Sequence, residues 1–207
     1  DAAETALNEF TAHHVQTIGV IANRVDADIL DETVEALHGL TDLLVAAIPA
    51  DRLLVAPTLR AQYEAVGAVH VLGNPDLLDR ESQDVVVAAM TLPNILTRLV
   101  TEATVLMPSD RSDLLPGLIR AHHSGSFPQI TGVILTGGYP IPDPVVRLFD
   151  GMHLDLPIGM TELGTYTTAK QVFNTEGHFT SSPRKVEVSR RLFSERVDAQ
   201  ALLQALE

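Results

Sequence analysis

Ala103-Thr104-Val105-Leu106-Met107-Pro108-Ser109-Asp110-Arg111-Ser112-Asp113 passes, across one proline, from an apolar run to a string of capping and charged residues. An apolar run of that length suits a strand buried on both faces. Ser or Asp at its end suits the start of a helix, here reaching about His123. The stretch is therefore one β–α unit, and the chain on either side repeats it. Upstream, Val85–Met90 is apolar throughout, and Thr91 reads as an N-cap with Pro93 in the first turn and Ile95, Leu96 and Leu99 on one face. Downstream, Ile130–Leu135 ends in Thr136-Gly137-Gly138, and Asp143 reads as an N-cap with Pro144 opening the helix Val145–Phe149. Leu156–Met160 then precedes Thr165, read as the cap of Tyr166–Phe173. Four such units in series predict an α/β fold, a mostly parallel sheet with helices on both faces.

The chain before Val85 reads as a partial α/β N-terminal segment. A helical pattern over Ala3–His13 leads to a strand candidate at Ile18–Asn23. Asp31–Leu40 is an acidic amphipathic helix with Val34, Leu37 and Leu40 inward, and Leu43–Ile48 is an apolar run stopped by Pro49. A further helix runs from Ala56 to about Val66. Two strands do not make a stable sheet alone, so this stretch reads as the tail of a larger domain. Asn74-Pro75 and the acids around it place the boundary within residues 68–84. Beyond the polar break at Gly177–Pro183, a last helix spans about Arg184 to Val197, with Leu202–Leu206 behind it. Its Val186, Leu192, Phe193 and Val197 are expected to be covered by a second copy, so a homo-oligomer is expected.

Composition narrows the function classes. The chain has 207 residues, enough to bury a core, and no Cys, which excludes disulfides, thiolate metal sites and a Cys nucleophile. The first residues, Asp1-Ala2-Ala3-Glu4, carry neither an initiator Met nor a signal peptide, so a piece of a cytoplasmic protein is expected. Net charge is −13, and residues 1–50 hold nine acids against the single base Arg24. Such a surface repels phosphodiester backbones and anionic lipid, so neither nucleic acid nor membrane is an expected partner.

Three strand ends carry the candidate chemistry. At the first, amides of a starting helix and Arg111 favour phosphate or carboxylate, with Asp110 and Ser112 beside them. The plainer alternative is that Ser109 or Asp110 caps the helix and Arg111 pairs with a nearby acid. At the second, Gly137 and Gly138 permit either a sharp turn or the close approach of a ligand. The third is Thr161-Glu162, followed by Thr165. In a parallel sheet all three lie on the edge where open α/β sheets bind ligands. Asp110, Arg111, Ser112, Thr136, Gly137, Gly138 and Thr161 are therefore the ligand or anion candidates, expected in one cleft. There is no Gly-x-x-x-x-Gly-Lys-Ser/Thr loop and no Gly-x-Ser-x-Gly elbow, and no catalytic residue, metal ligand or cofactor is assigned. His13-His14 and His122-His123 are adjacent pairs pointing to different helix faces, read as solvated helix ends.

Val105–Asp113 followed by Gly132–Tyr139 resembles the DRTGG domain, whose Asp-Arg and Thr-Gly-Gly elements here are Asp110, Arg111, Thr136, Gly137 and Gly138. The resemblance runs from about Asp84 to Phe173. Long-form bacterial phosphate acetyltransferases carry such a domain in mid-chain, after a dethiobiotin-synthetase-like P-loop domain whose closing part Ile18–Val25 resembles. The resemblance implies three segments: residues 1–78 as the end of that P-loop domain without its nucleotide loop, 79–180 as the DRTGG domain, and 181–207 as a helical linker toward an absent catalytic domain. It also implies that interconversion of acetyl-CoA plus phosphate with acetyl phosphate plus CoA, the acyl transfer of acetate metabolism, belongs to that absent domain. For these residues it implies a non-catalytic regulatory or assembly role, responding in some relatives to small molecules such as NADH or pyruvate. The alternatives are a free-standing DRTGG ligand-sensing module and a purely structural oligomerisation module.

Overall fold

The computed structural model describes residues 2–177 and 182–206, so the middle of the polar break read at Gly177–Pro183 lies outside the described residues. The chain forms two compact units, residues 1–54 with 179–207 and residues 55–178.

In the first unit, α1 (Ala2–Ala12), β1 (Gly19–Val25), α2 (Leu30–His38) and β2 (Leu44–Pro49) follow in order. β1 and β2 pair in parallel from Gly19↔Leu44 to Ala22↔Ala47. The chain leaves through the short α3 (Arg52–Val55), and α9 (Pro183–Arg196) and α10 (Ala199–Gln204) belong to this same unit. α2 and α9 both pack on β2. That packing divides the stripe expected to await a partner: Leu192 and Val197 are buried, while Val186 and Phe193 stay more than a third exposed.

The second unit runs α4 (Leu59–Val66), β3 (Val69–Leu72), β4 (Asp84–Val87), α5 (Leu92–Leu96), β5 (Ala103–Pro108), α6 (Leu115–His122), β6 (Gly132–Thr136), α7 (Asp143–Val146), β7 (Ile158–Thr161) and α8 (Thr165–Phe173). Its sheet has the order β3-β7-β6-β5-β4, with β4 to β7 mutually parallel and β3 antiparallel on the edge. Because β4, β5, β6 and β7 are neighbours in chain order, crossovers of one hand place their connecting helices on one face. α5, α6 and Phe149 accordingly share a core with Val105, Met107, Val133 and Leu135. α4 and α8 cover the other face through Leu59, Tyr63, Val66 and Val172, against Leu106 and Ile134. The expected mostly parallel sheet with helices on both faces is the observed one.

The compact units divide after residue 54, whereas the resemblance drew its boundary at 78/79. α4 and β3 go with the second unit because β3 is hydrogen-bonded to β7 and α4 lies in the sheet's second core. Strand β3 is only four residues long and sits between Gly67 and Gly73-Asn74-Pro75, so its sequence has the composition of a linker. Two caps also differ. Asp143 is the first residue of α7 with Pro142 in the N-cap position, and Gly164, not Thr165, precedes α8.

Two groups of polar side chains inside the second unit are paired. Thr104, fully buried on β5, donates its hydroxyl hydrogen to Gln62 Oε1 at 2.6 Å and lies 2.8 Å from Ser82 Oγ. Tyr63 donates its hydroxyl to the Val133 carbonyl at 3.2 Å, and burial pushes that phenol far above its ordinary range. Thr104→Val leaves Gln62 and Ser82 buried without their partner and is expected to lower unfolding free energy by about 1–3 kcal/mol. Adding Gln62→Leu is expected to restore part of that loss, because removing both partners is milder than orphaning one. Urea denaturation of wild type, single and double variants measures both effects.

Candidate functional site

The three strand ends meet side by side. In register, Pro108 of β5 faces Thr136 of β6, and Thr136 faces Thr161 of β7. Strands that end in step must satisfy the polar groups that leave the ladder there, and this edge does so with the turn after β6. Gly137 and Gly138 take φ of +93° and +72°, a region in which side chains are strained. In that conformation Gly137 N–H donates to the Leu163 carbonyl at 2.9 Å and Gly138 N–H to the Thr161 carbonyl at 3.0 Å. Tyr139 N–H donates to Ser109 Oγ at 2.9 Å. The turn is therefore stitched to the ends of both neighbouring strands. A Cβ at Gly138 would meet only the carboxylate of exposed Glu162, the flexible end of a side chain that can move aside, so it is φ that requires the second glycine.

Threonine hydroxyls extend the stitching. Thr136 and Thr165 share a hydrogen bond of 2.7 Å. Thr161 donates to the Val66 carbonyl at 2.6 Å and accepts Leu163 N–H at 3.2 Å. Thr136, Thr161 and Ser109 are almost wholly buried.

Asp110, Arg111 and Ser112 lie in a 3-10 segment, Ser109–Leu114, that precedes α6. Neither Ser109 nor Asp110 caps it: Pro108 holds the N-cap position, and the Ser109 hydroxyl is turned to Tyr139. Arg111 is kinked to φ −95° and ψ 36°, and its guanidinium grips Asp113 with Nε–Oδ1 at 3.0 Å and Nη2–Oδ2 at 3.3 Å. The pairing raises the Arg111 pKa and holds the Asp113 carboxyl below its ordinary range. The pair is open to solvent, so it contributes little to stability.

Of the sequence candidates, then, Thr136, Gly137, Gly138 and Thr161 form one bonded cluster, Ser112 is buried in the adjacent segment, and Asp110 and Arg111 stand on its surface. At Gly137 and Gly138, where the sequence allowed either a sharp turn or the close approach of a ligand, the amides are engaged by Leu163 and Thr161. The exposed rim carries Asp110, Asp113 and Glu162 against Arg111, with Tyr139 and Tyr166 more than half exposed. Asp113 occupies Nε and Nη2 of the Arg111 guanidinium. In sequence Ser109 and Thr165 have the look of caps, and their bonds across the sheet edge have no signature in local sequence.

A second polar cluster has no counterpart in the sequence reading. His122 is buried, and both His122 and His123 turn toward Asp155, with Nε2–Oδ1 separations of 3.7 Å and 2.7 Å. The pair is therefore not a solvated helix end, because the segment ahead of β7 folds back across the end of α6. Burial lowers the His122 pKa, with opposing attraction from Asp155 and further lowering from His123 and Arg80. His13 and His14 are exposed past the end of α1, as expected of a solvated helix end. Among the described residues, no group of three or more His, Asp or Glu side chains is arranged to hold a metal, and no helix is long and apolar enough to cross a membrane.

Residues 63–175 match the DRTGG domain family. The chain is similar to phosphate acetyltransferase of Synechocystis sp., 30% identical over 98% of this chain and 30% of that protein. It is likewise similar to the phosphate acetyltransferases of Nitratidesulfovibrio vulgaris, 30% identical over 77% of this chain and 23% of the relative, and of Pseudomonas putida, 29% identical over 76% and 24%. The chain thus spans less than a third of the length of these relatives. Among solved structures it is similar to the CBS and DRTGG domains of the regulatory region of Clostridium perfringens pyrophosphatase, complexed there with the activator diadenosine tetraphosphate. That likeness has a TM-score of 0.48 at 15% identity, over 93% of this chain and 82% of that one.

The two kinds of contact at the strand ends are separable by substitution. Ser109→Ala removes the acceptor of the Tyr139 N–H and is expected to cost about 0.5–1.5 kcal/mol. Arg111→Ala releases a solvated carboxylate and is expected to leave the unfolding midpoint in place. Equilibrium denaturation of the two variants beside wild type checks both.

Proposed function

The chain belongs to the DRTGG domain family, and from that premise we propose that it is the non-catalytic regulatory and assembly region of a cytoplasmic phosphate acetyltransferase. The observation that carries this reading is the pattern of coverage: almost the whole chain aligns with under a third of a phosphate acetyltransferase, and the DRTGG match falls on its five-stranded unit. The acetyl transfer itself, in which phosphate takes the acetyl group from CoA, is assigned to the part of those relatives outside this span. Residues 1–54 are assigned to the P-loop-like domain that precedes the DRTGG domain.

The strand-end edge supports a sensing role. Its interior is occupied by hydrogen bonds that hold the fold, which leaves a rim whose charges change partner at little cost. A small anionic metabolite is expected to engage Arg111 in place of Asp113, next to Asp110 and the Thr136–Gly138 turn. Arg is suited to this exchange because one planar fork serves carboxylate and phosphate alike. Val186 and Phe193, exposed on α9, are the residues proposed to meet a second copy.

A thermal-shift screen of the 207-residue chain against acetyl-CoA, CoA, acetyl phosphate, pyruvate, NADH and adenine nucleotides tests the reading. A ligand at about 100 times its Kd adds about 2.7 kcal/mol to stability, which for a chain of this size raises Tm by roughly 5–10 °C. At least one compound is expected to do so in wild type and to lose the effect in Arg111→Ala. Acetyl phosphate formation by the purified chain alone, or a screen in which nothing shifts Tm, would overturn the proposal. Sedimentation at high micromolar concentration is expected to show a species larger than the monomer, and a clean monomer would end the assembly part of it.

A further inference from the structure

The two edges of the five-stranded sheet are finished differently. The β3 edge is irregular. Its register with β7 passes from His70↔Gly159 to Leu72↔Ile158, so Val71 is an extra residue, and Gly73 follows at φ +86°. A bulge of that kind bends an edge strand and spoils it as a template for pairing. β4, at the other edge, keeps an unbroken register with β5 from Asp84↔Ala103 to Val87↔Leu106. Ala88 N–H donates to the Leu106 carbonyl of β5 at 2.8 Å. Consecutive strand residues turn their N–H and C=O to opposite sides, so Val85 and Val87 turn theirs away from β5. The Val85 N–H donates to Asp84 Oδ1 at 2.8 Å. The N–H and C=O of Val87 and the C=O of Val85 have no partner among the described residues.

The side chains at this edge are apolar and uncharged. Residues 85–97 contain no Asp, Glu, Lys, Arg or His. Val87 is 40% exposed and Met90 42%. Val85 packs in the core that α8 covers, and Val87, two residues on, shares that face. Helix α8 itself lies over β4 and β5. Its Thr167, Lys170, Gln171 and Asn174 border the groove against α4. Helical periodicity therefore puts Phe173 on the opposite flank, the one toward β4, and Phe173 is 61% exposed.

We infer that the β4 edge is an interface between two copies of this chain, which pair β4 with β4 antiparallel about a two-fold axis beside Val87. Each Val87 N–H then donates to the Val87 C=O of the other copy, and the two five-stranded sheets run on as one. The partner is a strand because the open groups are a row of backbone donors and acceptors. Charge permits that strand to be a second copy. A chain of net charge −13 repels itself wherever acidic surfaces meet. Antiparallel self-pairing here sets Asp84 opposite Met90 instead of opposite another carboxylate. The axis stands normal to the sheet, so both copies carry Phe173 on the same face, beside the shared edge. The contact is isologous, one patch serving both copies. It uses the second unit alone and is separate from the contact proposed for Val186 and Phe193.

The chain has no Cys, so one introduced thiol reports one contact. Opposed residues of a hydrogen-bonded antiparallel pair have Cα atoms about 5.5 Å apart, within disulfide reach. On mild oxidation, Val87→Cys in the 207-residue chain is expected to give a disulfide-linked dimer on a non-reducing gel. Val69→Cys, on the exposed but bulged β3 edge, is expected to stay unlinked. Val87→Lys sets two ammonium groups against each other across the axis. It is expected to lower the sedimenting mass below that of wild type at equal concentration, with the circular dichroism spectrum unchanged. Linking of Val87→Cys no faster than that of Val69→Cys, or sedimentation of Val87→Lys identical to wild type, would overturn the inference. In either case a wild type still larger than the monomer leaves the assembly proposed through α9 standing. If Val87→Lys does not fold, the comparison of the two Cys variants decides by itself.

Discussion

Strand β6 is enclosed on all sides, with β5 and β7 along its edges and helix layers on both faces, and its five residues are all buried. A backbone so placed cannot turn to water for any hydrogen bond, so every amide and carbonyl must find protein. Inside the strand the ladder supplies those partners. At its end the ladder stops, and the need for partners does not. The Gly137–Gly138 turn, the Ser109 hydroxyl and the threonines of the edge are the answer to that need. Alternation of side chains along β5 and β6 follows from the same enclosure, since Leu106 and Ile134 can only enter one layer while Val105, Met107, Val133 and Leu135 enter the other.

This explains why the best family motif is also the least available part of the edge. Motif residues that look like ligand cradles, two glycines after a buried strand, spend their amides on Leu163 and Thr161. The charged half of the motif stands outside, where Arg111 and Asp113 hold each other in solvent. A division of labour results, in which the glycines keep three strand ends in step and the rim charges remain exchangeable.

Strand β7 joins the two polar clusters. Its four residues begin three positions after Asp155 and end at Thr161, whose carbonyl receives the Gly138 amide. One end follows the segment that brings Asp155 to His122 and His123, and the other is held by hydrogen bonds to a turn. The edge strand β3 rests against this same short strand, so the outer part of the sheet depends on how β7 is held at its ends.

Much of this was written in the chain order alone. Apolar runs ending in Ser, Thr, Asp or Gly located β4 to β7, because a strand buried on both faces has to be apolar throughout, and the serial β–α pattern determined the parallel sheet. The Asp-Arg and Thr-Gly-Gly elements located the edge and its positive-φ glycines, because that turn excludes other residues locally. Tertiary structure alone decided what each polar group bonds. Ser109 and Thr165 look like helix caps in sequence, and whether a hydroxyl caps its own helix or crosses to another strand depends on which chain segment lies within about 3 Å, hydrogen-bond reach. The same holds for β3, whose four residues become a strand only because β7 offers an unpaired edge. It holds for His122 and His123 as well: neighbours in sequence point apart on a helix, and only a segment folded back across its end can bring both to one carboxylate.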